Sequence, residues 1–341
     1  MKNSMETVKC NLCGSNGYIS QFHQTDLFHK TTTETFQMVR CKDCGLHYLN
    51  PRPTKKEIAS YYSVDYGFHS RGSNLKRLLS NILQSLINYA YFEKKSLFIK
   101  VFSKIMLTPL FYLPLMKKKT VHLLVPRIKS YIKINNPERI LDIGCGAGSH
   151  THMYGSKEAI VNLKHKGWDV YGIEVSDNAK SILKNLGFKN IYSDLHQASF
   201  KDNYFDVIRL NWSLEHIHDP TSYLKECKRI LKKSGKLIIG IPNYDGITYK
   251  IFPQCVEVPI HLYYFSLDTF KKYCQKLDFE ILDYYTFSYV SLFLKSLDLM
   301  DYSNMHKYLV ANIHEAIKLQ TFLNVMADLE LGDDMVFCLT K

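Results

Sequence analysis

The sequence predicts an α/β protein built on a doubly wound, mostly parallel sheet. Three observations point there. Apolar, β-type runs recur near 139–143, 169–174, 189–193, 205–211 and 236–242. Helix-compatible stretches separate them, for example Asn178 to Leu186 and Thr221 to Leu231, and such alternation makes parallel crossover units. The first run ends in Gly144-Cys145-Gly146-Ala147-Gly148, with glycine at every second position. Glycine is needed where backbone must take unusual dihedrals and let a ligand come close. Phe279 to Phe287 and Asp334 to Leu339 read as two further strands. Ligands in such sheets bind at the carboxyl ends of the strands. That rule gathers Gly144–Gly148, Glu174, Asp194 and Asn211–His216 into one cleft. Ser149 stands where a dinucleotide fingerprint needs glycine, and no Gly-Lys-Ser/Thr follows as in a phosphate loop.

The segment Ile140-Leu141-Asp142-Ile143-Gly144-Cys145-Gly146-Ala147-Gly148 resembles the first motif of the class I S-adenosylmethionine (SAM) methyltransferases, strand-Asp-x-Gly-x-Gly-x-Gly. The resemblance runs from about residue 136 to the end of the chain and rests on linked segments: Val170 to Ser176, Asp194, Phe205 to Asn211, Leu214 to Pro220, and Leu231 to Pro242. It implies a seven-stranded Rossmann-like sheet whose last strand is antiparallel between strands five and six. It also implies that SAM is held by Asp142, Gly144, Cys145, Gly146, Gly148, Glu174, Val175, Asp194, Leu195 and Asn211. Glu174 would accept from the ribose hydroxyls, a charge-assisted bond, and Asp194 would lie on the adenine side. Cys145 reads as packing and not as a nucleophile. One departure stands out: Asp142 and Glu174 are 32 residues apart, with the extra residues expected around Ser149 to Lys157.

The chain has 341 residues, 46% of them hydrophobic, a formal net charge of +12 and a pI of about 9.1. That is room for one large domain plus one or two small ones, and an acidic partner or surface suits the charge. Nine cysteines suggest a reducing compartment, and the polar opening residues do not read as a signal peptide. The expected location is the cytoplasm.

Residues 1–74 are expected to form a zinc-ribbon-like module and linker. Cys10-Asn11-Leu12-Cys13-Gly14 and Cys41-Lys42-Asp43-Cys44-Gly45 are matching Cys-x-x-Cys-Gly knuckles. Two such turns give a tetrahedral four-cysteine zinc site with no open position for a catalytic water. Chance thiols or a redox pair are the bland alternative. The arrangement looks like a subgroup of SAM methyltransferases with a zinc-binding N-terminal part, many of them in sugar, surface-glycan or secondary-metabolite pathways. Tyr61, Tyr62 and Tyr66 would then wall a substrate pocket; the alternative is packing between domains.

Residues 75–130 read as a basic helical insert, and 131–341 as the methyltransferase domain. Between 75 and 120 there are nine Lys/Arg and one acid, Glu93. Leu75, Leu78, Leu79, Ile82, Leu83, Leu86 and Ile87 follow helical spacing. Leu97 to Met116 is apolar, but its longest charge-free run, Ile105 to Met116, is 12 residues, too short to span a bilayer. Two readings stand: helices packed on the catalytic domain or a second subunit, or helices lying at an anionic membrane face.

Methyl transfer needs positioning and, for a hydroxyl acceptor, a base. His261 and His216 are the candidates, with Glu215 to orient a histidine or touch substrate. Each has a structural alternative. His218 reads as a helix-entry residue, and His69, Tyr249 and Tyr263 are weaker pocket candidates. The favoured function is O-methylation of a sugar, a lipid-linked or surface glycan, or a related small molecule. An RNA methyltransferase is the second reading; the apolar company of the basic residues argues against nucleic acid. A degenerate scaffold is the third.

Overall fold

The computed structural model describes residues 4–62, 74–112, 120–121, 123–124, 128–148 and 157–341. Tyr66, His69, Lys117 to Lys119 and the expected insertion at 149–156 lie outside the described residues.

Along the chain, Met5–Glu6 (β1) pairs with Arg52–Pro53 (β5). Between them come Tyr18–Thr25 (β2), Thr35–Cys41 (β3) and His47–Leu49 (β4), an antiparallel sheet. The main sheet contains Arg139–Ile143 (β6), Asp169–Ile173 (β7), Ile191–Tyr192 (β8), Phe205–Asn211 (β9), Leu231–Pro242 (β10), Glu280–Phe287 (β12) and Asp334–Thr340 (β13). Its order is β12-β13-β10-β9-β6-β7-β8. β8 through β10 run parallel, and β13 inserts antiparallel between β10 and β12. This is the Rossmann-like α/β sheet of the methyltransferases, with the order the resemblance implies. Helix starts follow local chemistry. Ser176 caps Asp177–Asn185 by accepting from the Ala179 N–H, and Asp219 caps Pro220–Ile230 by accepting from the Ser222 N–H. The strand expected near 236–242 begins earlier, at Leu231, with an irregular start that is out of register between Leu231 and Lys236.

The cysteine module is welded to the sheet domain. Tyr263–Tyr264 (β11), from the far half of the chain, pairs with β4 and completes a four-stranded sheet β11-β4-β3-β2. Cys10, Leu12, Val39, Leu46 and Tyr48 share one core with Leu141, Ile208, Leu210 and Ile239. The Asn11 side chain donates to Asp219 and accepts from Thr221 and Tyr273.

The insert forms helices Asn74–Ile87 and Leu97–Tyr112, joined through a π-turn at Asn88–Phe92. Their inner faces (Leu83, Ile87, Leu107, Phe111) share a second core with Val290–Leu299, Ser303–Ala311 and Ile313–Asp328. The stretch between β12 and β13 is therefore three helices, and the insert packs on them. Among the described residues, no helix is long and apolar enough to cross a membrane.

Candidate functional site

The glycine turn leaves β6 with Gly144 at φ +77 and Gly148 at φ +72, both in the left-handed region. A Cβ on Gly144 would lie 2.8 Å from Ser213, and one on Gly148 would lie 2.6 Å from Leu183. The turn is thus clamped between the loop after β9 and the helix Asp177–Asn185. The Gly144 and Cys145 N–H groups both donate to the Ile173 carbonyl at 2.8 and 3.2 Å. The Cys145 thiol is buried, and burial followed by the charges of Asp142 and Glu174 raises its pKa well above the ordinary value. It is packing, as its sequence context suggests.

Glu174, just past β7, accepts from the Gly146 N–H through Oε2 and from the Ser176 N–H through Oε1, each at 2.7 Å. Each carboxylate oxygen keeps a further lone pair for a ligand hydroxyl. Beside it, Val175 is 80% exposed, an apolar platform at the carboxyl edge of the sheet. Asn211, at the end of β9, has a buried side-chain oxygen and nitrogen with no hydrogen-bond partner. A buried amide left unpaired is costly, and a polar ligand would satisfy it. These features fit SAM: backbone donors, a carboxylate, an apolar face and an orphaned amide converge at the sheet's carboxyl end.

The remaining expected SAM residues are placed differently. Asp142 is buried, and both its oxygens accept from Arg209, at 3.0 and 2.8 Å. It supports the turn from beneath. Asp194 spends Oδ1 on the His196 and Gln197 N–H groups, while Oδ2 accepts from Lys55. Leu195 is fully buried in the main core, so only its backbone can face a ligand.

A second cluster lies beyond β9. The 3-10 turn Leu214–His216 and the loop before β11 bring Glu215, His216 and His261 together, with their ligand atoms all within 4.8 Å of one another. The His216 and His261 rings meet edge to face at 4.6 Å. The backbone fixes this meeting, because the Leu262 N–H donates to the Glu215 carbonyl at 2.9 Å. Glu215 is 1% exposed, and neither of its carboxylate oxygens has a hydrogen-bond partner. Burial, with Asp334 and Glu257 adding repulsion, pushes its pKa well above the carboxylate range. His216 is lowered to about 3 by burial first and the nearby His261 second. Burial likewise lowers His261. Both imidazoles are neutral near pH 7, the form that accepts a proton.

His261 also borders a cavity of about 20 Å³ lined by Phe28, Tyr244, Tyr249, Glu257 and Tyr264, which is room for one water. Tyr249 is where a pocket candidate should be. Tyr62 reaches the His216 Nδ1 at 3.2 Å. Tyr61 does not wall the site: it packs edge-on against Phe36, and its hydroxyl donates to Glu34. Tyr263 is also structural, buried and bonded to Arg52 and to the His218 carbonyl. The His218 ring contacts the Pro53 carbonyl, just ahead of the Asp219 cap. Sequence reasoning missed Glu257 and His29, which are 2.8 Å apart. Burial alone would raise Glu257, but the His29 hydrogen bond and the charges of His261, His29 and Lys295 hold it near about 2. The available signal was an acid inside the apolar run Val256-Glu257-Val258-Pro259.

The four knuckle cysteines also converge. Cys10 and Cys44 sulfurs are 3.4 Å apart, as are those of Cys13 and Cys41, and all four lie within 4.8 Å. Tetrahedral thiolates around zinc are about 3.7 Å apart, so the set fits that metal.

Residues 116–284 match the family model described as a methyltransferase domain. The chain carries a class I SAM-dependent methyltransferase domain. This methyltransferase domain is 31% identical over 129 residues to the demethylmenaquinone methyltransferase of Thermotoga maritima, covering 37% of this chain and 54% of that one. It is 29% identical over 178 residues to the ubiquinone biosynthesis O-methyltransferase of Glaesserella parasuis, covering 48% and 75%. A crystal structure of a SAM-dependent methyltransferase from Archaeoglobus fulgidus is similar with a TM-score of 0.41 and 19% identity, over 70% of this chain and 98% of that chain. The chain spans between 32% and 54% of the length of three curated relatives that it matches.

Proposed function

We propose that this protein transfers a methyl group from SAM to an oxygen of a sugar, a lipid-linked or surface glycan, or a related small molecule. The observation that carries the reading is the contact between the glycine turn and Glu174, with the exposed Val175 beside it and the buried Glu-His-His cluster across the cleft. When bound, SAM supplies an activated methyl group on a sulfonium. The chain's residues do the rest. The Gly146 and Gly148 backbone and Glu174 hold the cosubstrate, with Asn211 and the Asp194–Leu195 turn at its flanks. His261 or His216, each neutral, accepts the acceptor's proton. Tyr62 orients His216, and the Glu215 carboxylate is placed to touch the substrate. The relatives named as quinone methyltransferases also act, by name, in methyl transfer.

In this reading the four cysteines hold one structural zinc, and the insert touches an anionic membrane face from the cytoplasmic side. The outer face of Leu97–Tyr112 supports that contact. Leu97 is 78% and Phe98 80% exposed, and Phe102, Ile105 and Met106 are exposed with them. Lys94, Lys95, Lys100 and Lys104 accompany that face. Exposed apolar patches of this kind mark interaction sites, and each basic residue near an anionic surface adds about 1 kcal/mol.

Calorimetric titration with SAM tests the central claim. Glu174→Ala is expected to weaken binding at least tenfold, the effect of losing about 1.4 kcal/mol. Unchanged affinity, or no binding by the intact protein, refutes it.

A further inference from the structure

We propose that Glu257 is a positioning residue for methyl transfer: its carboxylate, anchored by His29 of the cysteine module, is the counter-charge that lets the buried His261 take the acceptor's proton. That role rests on the methyl-transfer reading; the pairing of the two side chains does not.

The cysteine module builds the arrangement from outside. The Gln24 amide, near the end of β2, donates to the Val256 carbonyl at 3.1 Å. Just beyond β2, the Asp26 carboxylate accepts from the His29 N–H, the Thr31 N–H and the Thr31 hydroxyl, which fixes the loop that carries His29. The His29 Nε2–H then donates to Glu257 Oε2 at 2.8 Å. The His261 N–H donates to the Glu257 carbonyl at 2.9 Å, so one turn of chain carries both the acid and the base. Both residues line the cavity of about 20 Å³, and His261 is 8% exposed. Charges that face each other inside the protein are screened far less than in water.

The chemistry needs such a charge. The acceptor's O–H proton passes to a ring nitrogen of His261 as the C–O bond forms, and the electrons of the broken S–C bond return to sulfur. The sulfonium's positive charge thus reappears on a buried imidazolium, which is costly unless an anion answers it. Three acids gather in this part of the protein. Burial keeps Glu215 well above the carboxylate range and raises Asp334 to about 8, so both are neutral near pH 7. Burial would raise Glu257 too, but the His29 hydrogen bond and the charges of His261, His29 and Lys295 hold it near about 2. Lys295 itself lies over the Phe28 ring at 4.0 Å. The other titratable neighbours carry no charge. His216 is pushed down to about 3 by burial first, and burial pushes Tyr62, Tyr244, Tyr249 and Tyr264 up. Burial also lowers His261, and Glu257 is what opposes it.

The test is a pH titration of the full, zinc-loaded chain with ¹³C-labelled histidine rings, the His261 signal being assigned by its loss in His261→Gln. Glu257→Gln is expected to weaken proton binding at His261 about tenfold, the low end of what an adjacent opposite charge supplies. Glu257→Asp, which keeps the charge, is expected to restore it. A second readout needs no variant: the ¹³C carboxyl signal of Glu257 in the wild type is expected to show the ionised form at pH 5. A protonated Glu257 at that pH overturns the proposal. So does a His261 that stays neutral in the wild type down to pH 4, or one that titrates alike in wild type and Glu257→Gln. SAM affinity is measured on the same samples. An unmoved His261 with SAM bound overturns the pairing alone, whereas a moved His261 without SAM uptake supports the pairing and sinks its role in methyl transfer.

Discussion

Replacing Arg209 with methionine tests how the glycine turn is supported. Arg209 is fully buried in the middle of β9. Nε and one terminal nitrogen donate to the two oxygens of Asp142, and the other donates to the Glu158 carbonyl at 3.1 Å. The Glu158 carboxylate lies 3.6 Å from the same group. Asp142 and Glu158 are both buried. Removing the guanidinium strands two acids in a low-dielectric interior. Breaking a buried pair in this way costs about 3–5 kcal/mol, a large share of the roughly 5–15 kcal/mol that holds a domain folded. Methionine is apolar and of similar length, so lost packing adds little. Urea unfolding followed by the fluorescence of Trp168 and Trp212 measures the cost. Arg209→Met is expected to fall in that range. Combining it with Asp142→Asn is expected to cost less than the sum of the two singles by about 0.5–3 kcal/mol. A single-variant loss below about 1 kcal/mol, or strict additivity, refutes the argument.

Three further outcomes are expected. Asp334 accepts from Trp212 at 2.7 Å and is raised from 3.8 to about 8, chiefly by burial. The folded chain therefore keeps a proton that the unfolded chain releases above about pH 4. Its contribution to stability is complete below that pH and is lost at up to about 1.4 kcal/mol per unit until pH 8; Asp334→Asn should flatten that part of the curve of urea midpoints against pH. Zinc removal by a chelator, or Cys13→Ser, should unfold the β2–β4 sheet and release its strand contact to β11, because such sites contribute about 10–16 kcal/mol of folding free energy. Methyl transfer should then fall further than SAM affinity, since His261 lies next to β11 and the glycine turn does not; equal losses contradict this. Sedimentation with vesicles, with and without anionic lipid, checks the insert: binding should need anionic lipid, fall with salt and weaken in Phe98→Asp.

Much of the fold is legible in the sequence because its causes are local. Strand runs 139–143 and 205–211 are mostly apolar since both faces of the sheet are largely covered, and the observed bounds match them. Asp219-Pro220 marks a helix start through a cap and a fixed φ. The insert's helical spacing shows one packed face. The sequence could not say that its partner is the 290–328 helices, because any apolar surface satisfies a stripe. Asp142 shows the limit at the site. It carries the family's motif, but its partner Arg209 sits 67 positions later and looks like a charged interruption of a buried strand.

By itself, the sequence determined the alternating strands and helices, the glycine turn with Glu174 after the next strand, and the two cysteine knuckles. Each depends on backbone preference or on spacing within one short segment. Only the tertiary structure decided that β11 joins the cysteine module to the catalytic sheet, that His216 and His261 face one buried carboxylate, and that Glu257 is held ionised by His29. Those contacts bridge residues from 45 to 228 positions apart. They exist because burying a large common core brings distant segments together, and the polar groups carried inside must then find one another.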